Sequence, residues 1–415
     1  MSVTPADRKI VRTLAERLAE IAAQPEQQQK INEWRRHNSM MPGKPMVLQA
    51  PEGVWDEFVP QSALKCSSEL ARSVEHHLRT KLYKTDHLRD DEPITKTFNV
   101  RLHINETGWT KADVTAPEQK GVWGAVRYNT VLTPESNLEE ILPMRKLTCD
   151  REASDNHYQQ VCELVGDILD VRQVGRLHFG TCPTDAFATI RGIETFMMDM
   201  VERPEWLHKV FARMLKIDLD LLRQAEEQNL FTLNNGVNYV ASGGIGVTDE
   251  LPQKDFDGVH VRTRDLWGFA AAQIFSEVSP AMHEEFALRY EIQYLDKFGL
   301  NAYGCCEPLH LKVGILKKIP RLRRVSMSPW INPVKAAEEV GDKFIYSYKP
   351  NPAYLATAKW EIDVCRQEML AVLEAAKRNG CITEFIMKDT HTCCGQPERY
   401  DQWTDMAMEL AKQYA

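Results

Sequence analysis

Along most of the chain, short apolar runs alternate with longer stretches whose apolar residues recur at helical spacing. Residues 7–36 carry Ile10, Leu14, Leu18 and Ile21 near that spacing and predict a helix. Pro45–Ala50 reads as a short buried strand closed by Pro51-Glu-Gly53, residues 62–84 as a second helix, and Thr97–Ile104 as an alternating strand. From about residue 155 the pattern becomes regular. A helix over 155–170 precedes a strand near Gly175–Gly180, and a long helical stretch with a new start at Pro204-Glu205 runs to about Asn229. Leu230–Leu233 is predicted as a strand, followed by the turn Asn234-Asn-Gly236. The apolar stretch Trp267–Phe275 leads into a helix at 280–298. Gly299–Tyr303, Arg324–Met327, Phe344–Ser347 and Glu384–Met387 are further strand candidates, separated by helices at 308–318, 333–340 and 352–378 and followed by one at 397–414.

Strand–helix alternation repeated this often implies right-handed crossovers and a parallel sheet. Roughly eight such units predict a (β/α)8 TIM-type barrel of the α/β class. An open dinucleotide-binding sheet is disfavoured because no Gly-x-Gly-x-x-Gly follows the first strand. The expected organisation is an N-terminal helical extension over 1–40 and a barrel over 41–415. A turn-rich insertion near 105–152 is read as a lid or an interface.

Composition narrows the partners. The chain has 415 residues, 43% hydrophobic and 27% charged, with a net charge of −8, so a large core is available and no basic stripe invites nucleic acid. No apolar run is long enough for a membrane span, and the first residues lack an apolar signal core. Ten cysteines at this length predict reduced thiols and a cytoplasmic protein. Assembly into a homo-oligomer is compatible with this reading.

Two cysteine pairs stand where strands are expected to end. One is Cys305-Cys306, followed by Glu307; the other is Cys393-Cys394, preceded by Asp389 and His391. Sulfur, imidazole and carboxylate at strand ends are the chemistry of a zinc or thiolate site. For Cys305-Cys306 a second reading stands beside this one, that both are small buried hydrophobes. For residues 388–394 the alternatives are chelation, an Asp-oriented imidazole acting as acid or base, or a loop whose polar groups cap the next helix. The barrel rule places Asn234, Asn235, Tyr303, Ser328, Lys349 and Lys388 on the active face with these residues. Ser242–Gly246 is read as a lid or phosphate cradle, and Lys349-Pro-Asn-Pro352 as a rigid connection. Trp55, Trp109, Trp123, Trp267 and Trp330 are read mostly as core, with Trp55 and Trp267 flanking the mouth.

The strand at Lys44–Ala50, the stretch Met200–His208, the run Tyr303–Cys306 and the strand–loop–helix Phe385–Trp403 together resemble the uroporphyrinogen decarboxylase superfamily over roughly residues 40–412. That resemblance implies a (β/α)8 barrel. The superfamily includes porphyrinogen decarboxylases and zinc-dependent methyltransferases that exchange methyl groups with a corrinoid protein or a thiol. The decarboxylases carry an arginine-rich loop after the first strand; here it reads Leu48-Gln-Ala-Pro-Glu-Gly53, so porphyrinogen decarboxylation is disfavoured. The methyltransferases carry His-x-Cys after one strand and a third cysteine after the last. Cys306 matches that first cysteine, Gly304 stands in place of the histidine, and the late ligand falls within His391–Cys394.

The resemblance therefore implies a methyltransferase that moves a methyl group from a small donor, such as a methoxylated aromatic, to a corrinoid protein or thiol. It implies zinc held by Cys306, His391 and Cys393. Catalytic roles are expected for His391, Glu307 and Lys349, and substrate contacts for Asn234, Asn235, Tyr303 and Lys388. Of the first cysteine pair, strand alternation is expected to turn only one inward, and the resemblance selects Cys306. Two alternatives remain: a metal-independent decarboxylase or lyase using Lys349, Lys388 and His391, and a non-catalytic barrel that binds a corrinoid or tetrapyrrole.

Overall fold

The structure is a computed structural model that describes residues 3–108, 113–115 and 127–415. Trp109 and Trp123 lie outside the described residues. Seven strands form one parallel sheet: β1 (Met46–Gln49), β2 (Gly180–Thr181), β3 (Trp267–Ala270), β4 (Leu300–Tyr303), β5 (Leu322–Met327), β6 (Ile345–Tyr348) and β7 (Ile382–Met387). Their spatial order is β1-β7-β6-β5-β4-β3-β2, so the first strand lies beside the last, with Val47 opposite Phe385. That neighbourhood is the one a barrel requires. The sheet is barrel-like but has seven strands rather than eight among the described residues, and no ladder joins β2 to β1.

The expected strand at Leu230–Leu233 is reduced to one bridge, Phe231 to Arg176. Asn234 explains part of that. Its amide donates to the carbonyls of Leu177 and Trp267 and its oxygen accepts from Trp267 N–H, replacing ladder bonds with side-chain bonds. Asn235 is likewise structural, donating to the carbonyls of Thr248 and Leu251. The strand expected near 175–180 splits into Asp170–Val174, paired with Thr97–Arg101, and the two residues of β2. The N-terminal helix predicted over 7–36 is two helices, Pro5–Ala22 and Pro25–Asn38. Pro25 lacks the N–H that would continue the first and disfavours helical backbone at Gln24.

Alternation along β1 and β7 sorts side chains between two faces. Val47, Phe385 and Met387 join the large apolar core that includes Tyr400 and Trp403 of the helix Glu398–Gln413. Met46, Leu48 and Ile386 face the other way and meet Trp34, Ile245 and Val247. That second face also holds a buried polar cluster. Glu384 of β7 pairs with Arg324 of β5 at 2.8 Å, and with His37 of the helix Pro25–Asn38 at 3.0 Å. The Ser347 hydroxyl donates to Glu384 and accepts from Lys349 Nζ at 2.6 Å. Burial alone would push the Glu384 carboxyl up; Arg324 and His37 overcome this and hold it low. A separate apolar layer joins Val11 and Leu18 to Leu78, Phe98 and Val161, so the N-terminal helix docks on the helices Glu69–Tyr83 and Arg151–Val165. Among the described residues no helix is long and apolar enough to cross a membrane.

Candidate active site

A cavity of about 510 Å³ opens beyond the C-terminal ends of β1, β4 and β7. This is the edge where α/β sheets place their sites, because loops there are free to vary over a fixed scaffold. Its wall comes from Ala50–Glu52 and Trp55 after β1, and from His77, Thr80, Lys81 and Lys84 on and just after the helix Glu69–Tyr83. Glu92, His178, Phe269, Tyr239, Ala241–Gly243, Cys305 and Lys388 complete it.

Cys305 is the reactive group of this wall. The chain leaves β4 through Gly304, whose φ of +90° lies in the left-handed region. A Cβ there would sit 2.3 Å from Leu309 Cδ1 and 3.3 Å from Ser326 O. The bend breaks strand alternation, so Cys305, and not the expected Cys306, lines the cavity. The left-handed backbone and this crowding disfavour a side chain at 304, where the resemblance sets a histidine. Around the Cys305 sulfur, the Ser242 hydroxyl donates at 3.2 Å, Lys388 Nζ approaches to 3.5 Å and Cys306 Sγ lies at 3.5 Å. The hydrogen bond with Cys306, the Lys388 charge and the Ser242 donor outweigh burial and bring the thiol down to about 6. These contacts favour its ionised form over that of an ordinary thiol. Cys306 is shifted upward by its bond to Cys305, and its Sγ lies 3.4 Å from Asp389 Oδ2. Lys388 is disfavoured as a cation by burial, but Cys305 and Asp389 hold its ammonium above the ordinary range. It bonds Asp389 at 2.7 Å, and Asp389 itself takes a φ of +57° to meet it.

A second polar group stands on the same wall. Tyr239 and Lys84 both hydrogen-bond Glu92, Lys84 Nζ lies 2.7 Å from the Tyr239 hydroxyl, and Lys81 donates to Glu92 at 2.7 Å. Burial opposes every charge here. Even so, Lys81 and Lys84 hold the Glu92 carboxyl low, and Asp90 and Glu92 hold Lys84 well above its usual range. Burial and Glu92 push the Tyr239 phenol upward, so it stays protonated. His77 is brought down to about 4 by burial, and burial also lowers His178; both are neutral imidazoles.

The other expected site residues lie elsewhere. Glu307 is fully buried and accepts from the N–H groups of Cys305 and Ala272, so it shapes the loop under the thiolate. Tyr303 faces the helices outside the sheet, donating to Glu291 at 2.7 Å and meeting His283 at 2.6 Å. Lys349 is buried against Ser347 and is lowered to about 8 by burial. Ser328 is buried and does not line the cavity. Cys393 is buried and donates to Glu57 at 2.9 Å; burial and that carboxylate push its thiol up to about 12. His391 is exposed beside Gly53 and is not part of the cavity wall. The expected zinc ligands Cys306, His391 and Cys393 therefore do not converge. Among the described residues no group of three or more His, Cys, Asp or Glu side chains is arranged to hold a metal ion. Of the residues singled out for the site, Lys388 and Cys305 line the cavity, and Trp55 flanks it as expected, whereas Trp267 is buried in the sheet interior.

Ser242 was legible only as part of a Gly-rich lid. It sits instead at the tip of a short hairpin, Tyr239–Val240 with Gly244–Ile245, whose backbone lies against Arg324 so closely that a Cβ at Gly244 would be 2.4 Å from its Cζ. Lys84, Glu92 and Tyr239 were not identified. The charged run Asp90-Asp-Glu92 was the available signal, but its partner Tyr239 is far away in sequence.

No family model matches the chain, and no curated protein matches it. Among solved structures the chain is similar to a methyltransferase from Methanosarcina mazei, at 10% identity and a TM-score of 0.48, covering 91% of this chain and 97% of that one.

Proposed function

We propose that the protein is a methyltransferase whose Cys305 thiolate takes a methyl group from a small methoxylated aromatic held in the cavity. The observation that carries this reading is the lowered Cys305 thiol facing a cavity walled by Trp55, Phe269, His178 and Tyr239. A thiolate is the strong nucleophile that methyl transfer needs, and aromatic walls suit a flat apolar body. In the step itself the Cys305 sulfur attacks the methyl carbon in line. The S–C bond forms, the C–O bond breaks, and its electron pair stays on the phenolic oxygen. Lys81 and Lys84 on the same wall place their ammonium groups on the side where that oxygen would develop charge, and the oxygen takes its proton from solvent. Lys388 holds the attacking sulfur ionised and Ser242 orients it. A thiol substrate then removes the methyl group from Cys305; a corrinoid-bearing protein is the alternative acceptor.

The lyase reading is less well supported, because of Lys349, Lys388 and His391 only Lys388 lines the cavity, and it is held charged. The test is incubation with a panel of methoxylated aromatics, followed by peptide mass analysis. The expected result is one added methylene on the Cys305 peptide and none in Cys305→Ser. A panel that leaves Cys305 unmethylated, while iodoacetamide still alkylates it, overturns the reading.

A further inference from the structure

The methyl-transfer reading uses one sulfur of the Cys305-Cys306 pair as nucleophile and the other only as its hydrogen-bond partner. Adjacent side chains in a strand diverge. Here the bend at Gly304 takes both cysteines out of the strand, and their sulfurs stand 3.5 Å apart. One of them lines the cavity and the other is exposed to solvent. No disulfide joins them. Two sulfurs this close, open to solvent on one side and to an aromatic cavity on the other, form a clamp for a single soft atom.

We propose that Cys305 and Cys306 form a binding site for trivalent organoarsenicals. The geometry selects this class in two ways. Two sulfurs complete a trivalent centre whose third bond is already taken by carbon, so no further protein ligand is required. The organic group then has a place to go, the cavity beside Trp55 and Phe269. The exchange is not a redox step. Two S–As bonds form, the As=O bond of the oxide breaks, and its oxygen leaves as one water with the Cys306 thiol proton and a second proton, from solvent where Cys305 is already ionised. This site does not depend on the methyl-transfer reading, although an occupant would block Cys305.

The Cys393-Cys394 pair is the internal control. Cys393 Sγ is committed to Glu57 and Cys394 Sγ to the Ala356 carbonyl, on different segments of the chain. The experiment is titration of the reduced full-length protein with phenylarsine oxide, read by intact mass and by protection of individual cysteines from iodoacetamide. One equivalent is expected to bind and to protect Cys305 and Cys306 together. It should be released by 2,3-dimercaptopropanol and not by a monothiol at the same concentration. Cys305→Ser and Cys306→Ser should each weaken binding by about 100-fold or more, because a two-point attachment becomes one-point. Cys393→Ser should bind as the wild type does. Unchanged affinity in Cys306→Ser, or an adduct mapping to other cysteines, overturns the proposal. The protection map is made on the wild-type protein, so the test stands even if a variant folds poorly.

Discussion

The molecule contains two Cys-Cys pairs, each in the loop after a strand of the same parallel sheet, and they have opposite chemistry. At Cys305 a cation, a hydroxyl and a second sulfur gather around a thiol on a cavity wall, and the thiol falls to about 6. At Cys393 a carboxylate and burial act together, and the thiol rises to about 12. The Cys-Cys dipeptide is the same at the two places; the groups gathered around each sulfur differ. A cysteine pair alone therefore does not mark a reactive site; the hydrogen bonds, burial and charge around each sulfur decide whether it reacts.

The sharpest way to break this contrast is to remove the reactive sulfur. Cys305→Ser should lower methylation at this site, and any turnover built on it, by on the order of 10³-fold or more, as loss of an activated nucleophile does. Activity assays on the purified variant check this. Retention of wild-type turnover would place the chemistry on some other group.

The next effect lies in the bend that turns Cys305 inward. Gly304→Ala adds a Cβ at a φ of +90°, 2.3 Å from Leu309 Cδ1. Backbone strain and overpacking together should cost about 3 kcal/mol of stability. Urea denaturation measures it, and the alkylation rate of Cys305 should fall as the loop shifts. If stability falls while that rate is unchanged, the bend supports the fold and not the thiolate.

Cys393→Ala addresses the other pair. It deletes one donor to Glu57, while the N–H groups of Cys393 and Gly395 still donate to that carboxylate. A loss of about 1–2 kcal/mol in stability is expected from the missing hydrogen bond and volume. The alkylation rate of Cys305 should not change. A slowed Cys305 would mean that the two loops share one site after all.

Much of this arrangement was legible in the sequence, for identifiable reasons. β1, β4, β5, β6 and β7 are short runs rich in β-branched, aromatic or aliphatic residues, and β7 is buried on both faces, so apolar runs and punctuation located them. The strand expected at Leu230–Leu233 did not form a ladder because Asn234 satisfies its neighbours with side-chain bonds. That only one of Cys305 and Cys306 turns inward rested on strand alternation, which assumes that the strand continues, and the resemblance then selected Cys306. Gly304 was the sign that the strand does not continue. Lys388 was found because it follows β7 directly. The roles of Tyr239 and Ser242 were missed because each acts through a residue far along the chain, and no local pattern encodes such a meeting; Lys84 bonds Glu92 nearby in sequence, but only Tyr239 closes that cluster onto the cavity wall.

The smallest expected effect separates the two pairs most cleanly, because it removes the cation at the Cys305 sulfur. Lys388→Met removes the cation 3.5 Å from Cys305 and leaves the volume nearly unchanged. In the wild-type protein the alkylation rate of Cys305 should rise with pH through about 6 and then level off, following its thiolate. Without Lys388 the thiolate loses a stabilising charge, so the midpoint must move up, toward the ordinary thiol value of 9.0. A shift of about one unit gives a rate about tenfold lower below the wild-type midpoint, a few-fold lower between the two midpoints and no difference well above both. The effect is thus largest in mildly acidic solution and vanishes in alkali. Added salt should shrink it only slightly, since Lys388 is mostly buried. Cys393, paired with a carboxylate, should keep its unreactive profile in both proteins. An unmoved Cys305 midpoint in Lys388→Met would assign the lowering to Cys306 and Ser242 alone, and the difference between the two pairs would then be one of hydrogen bonding rather than of charge.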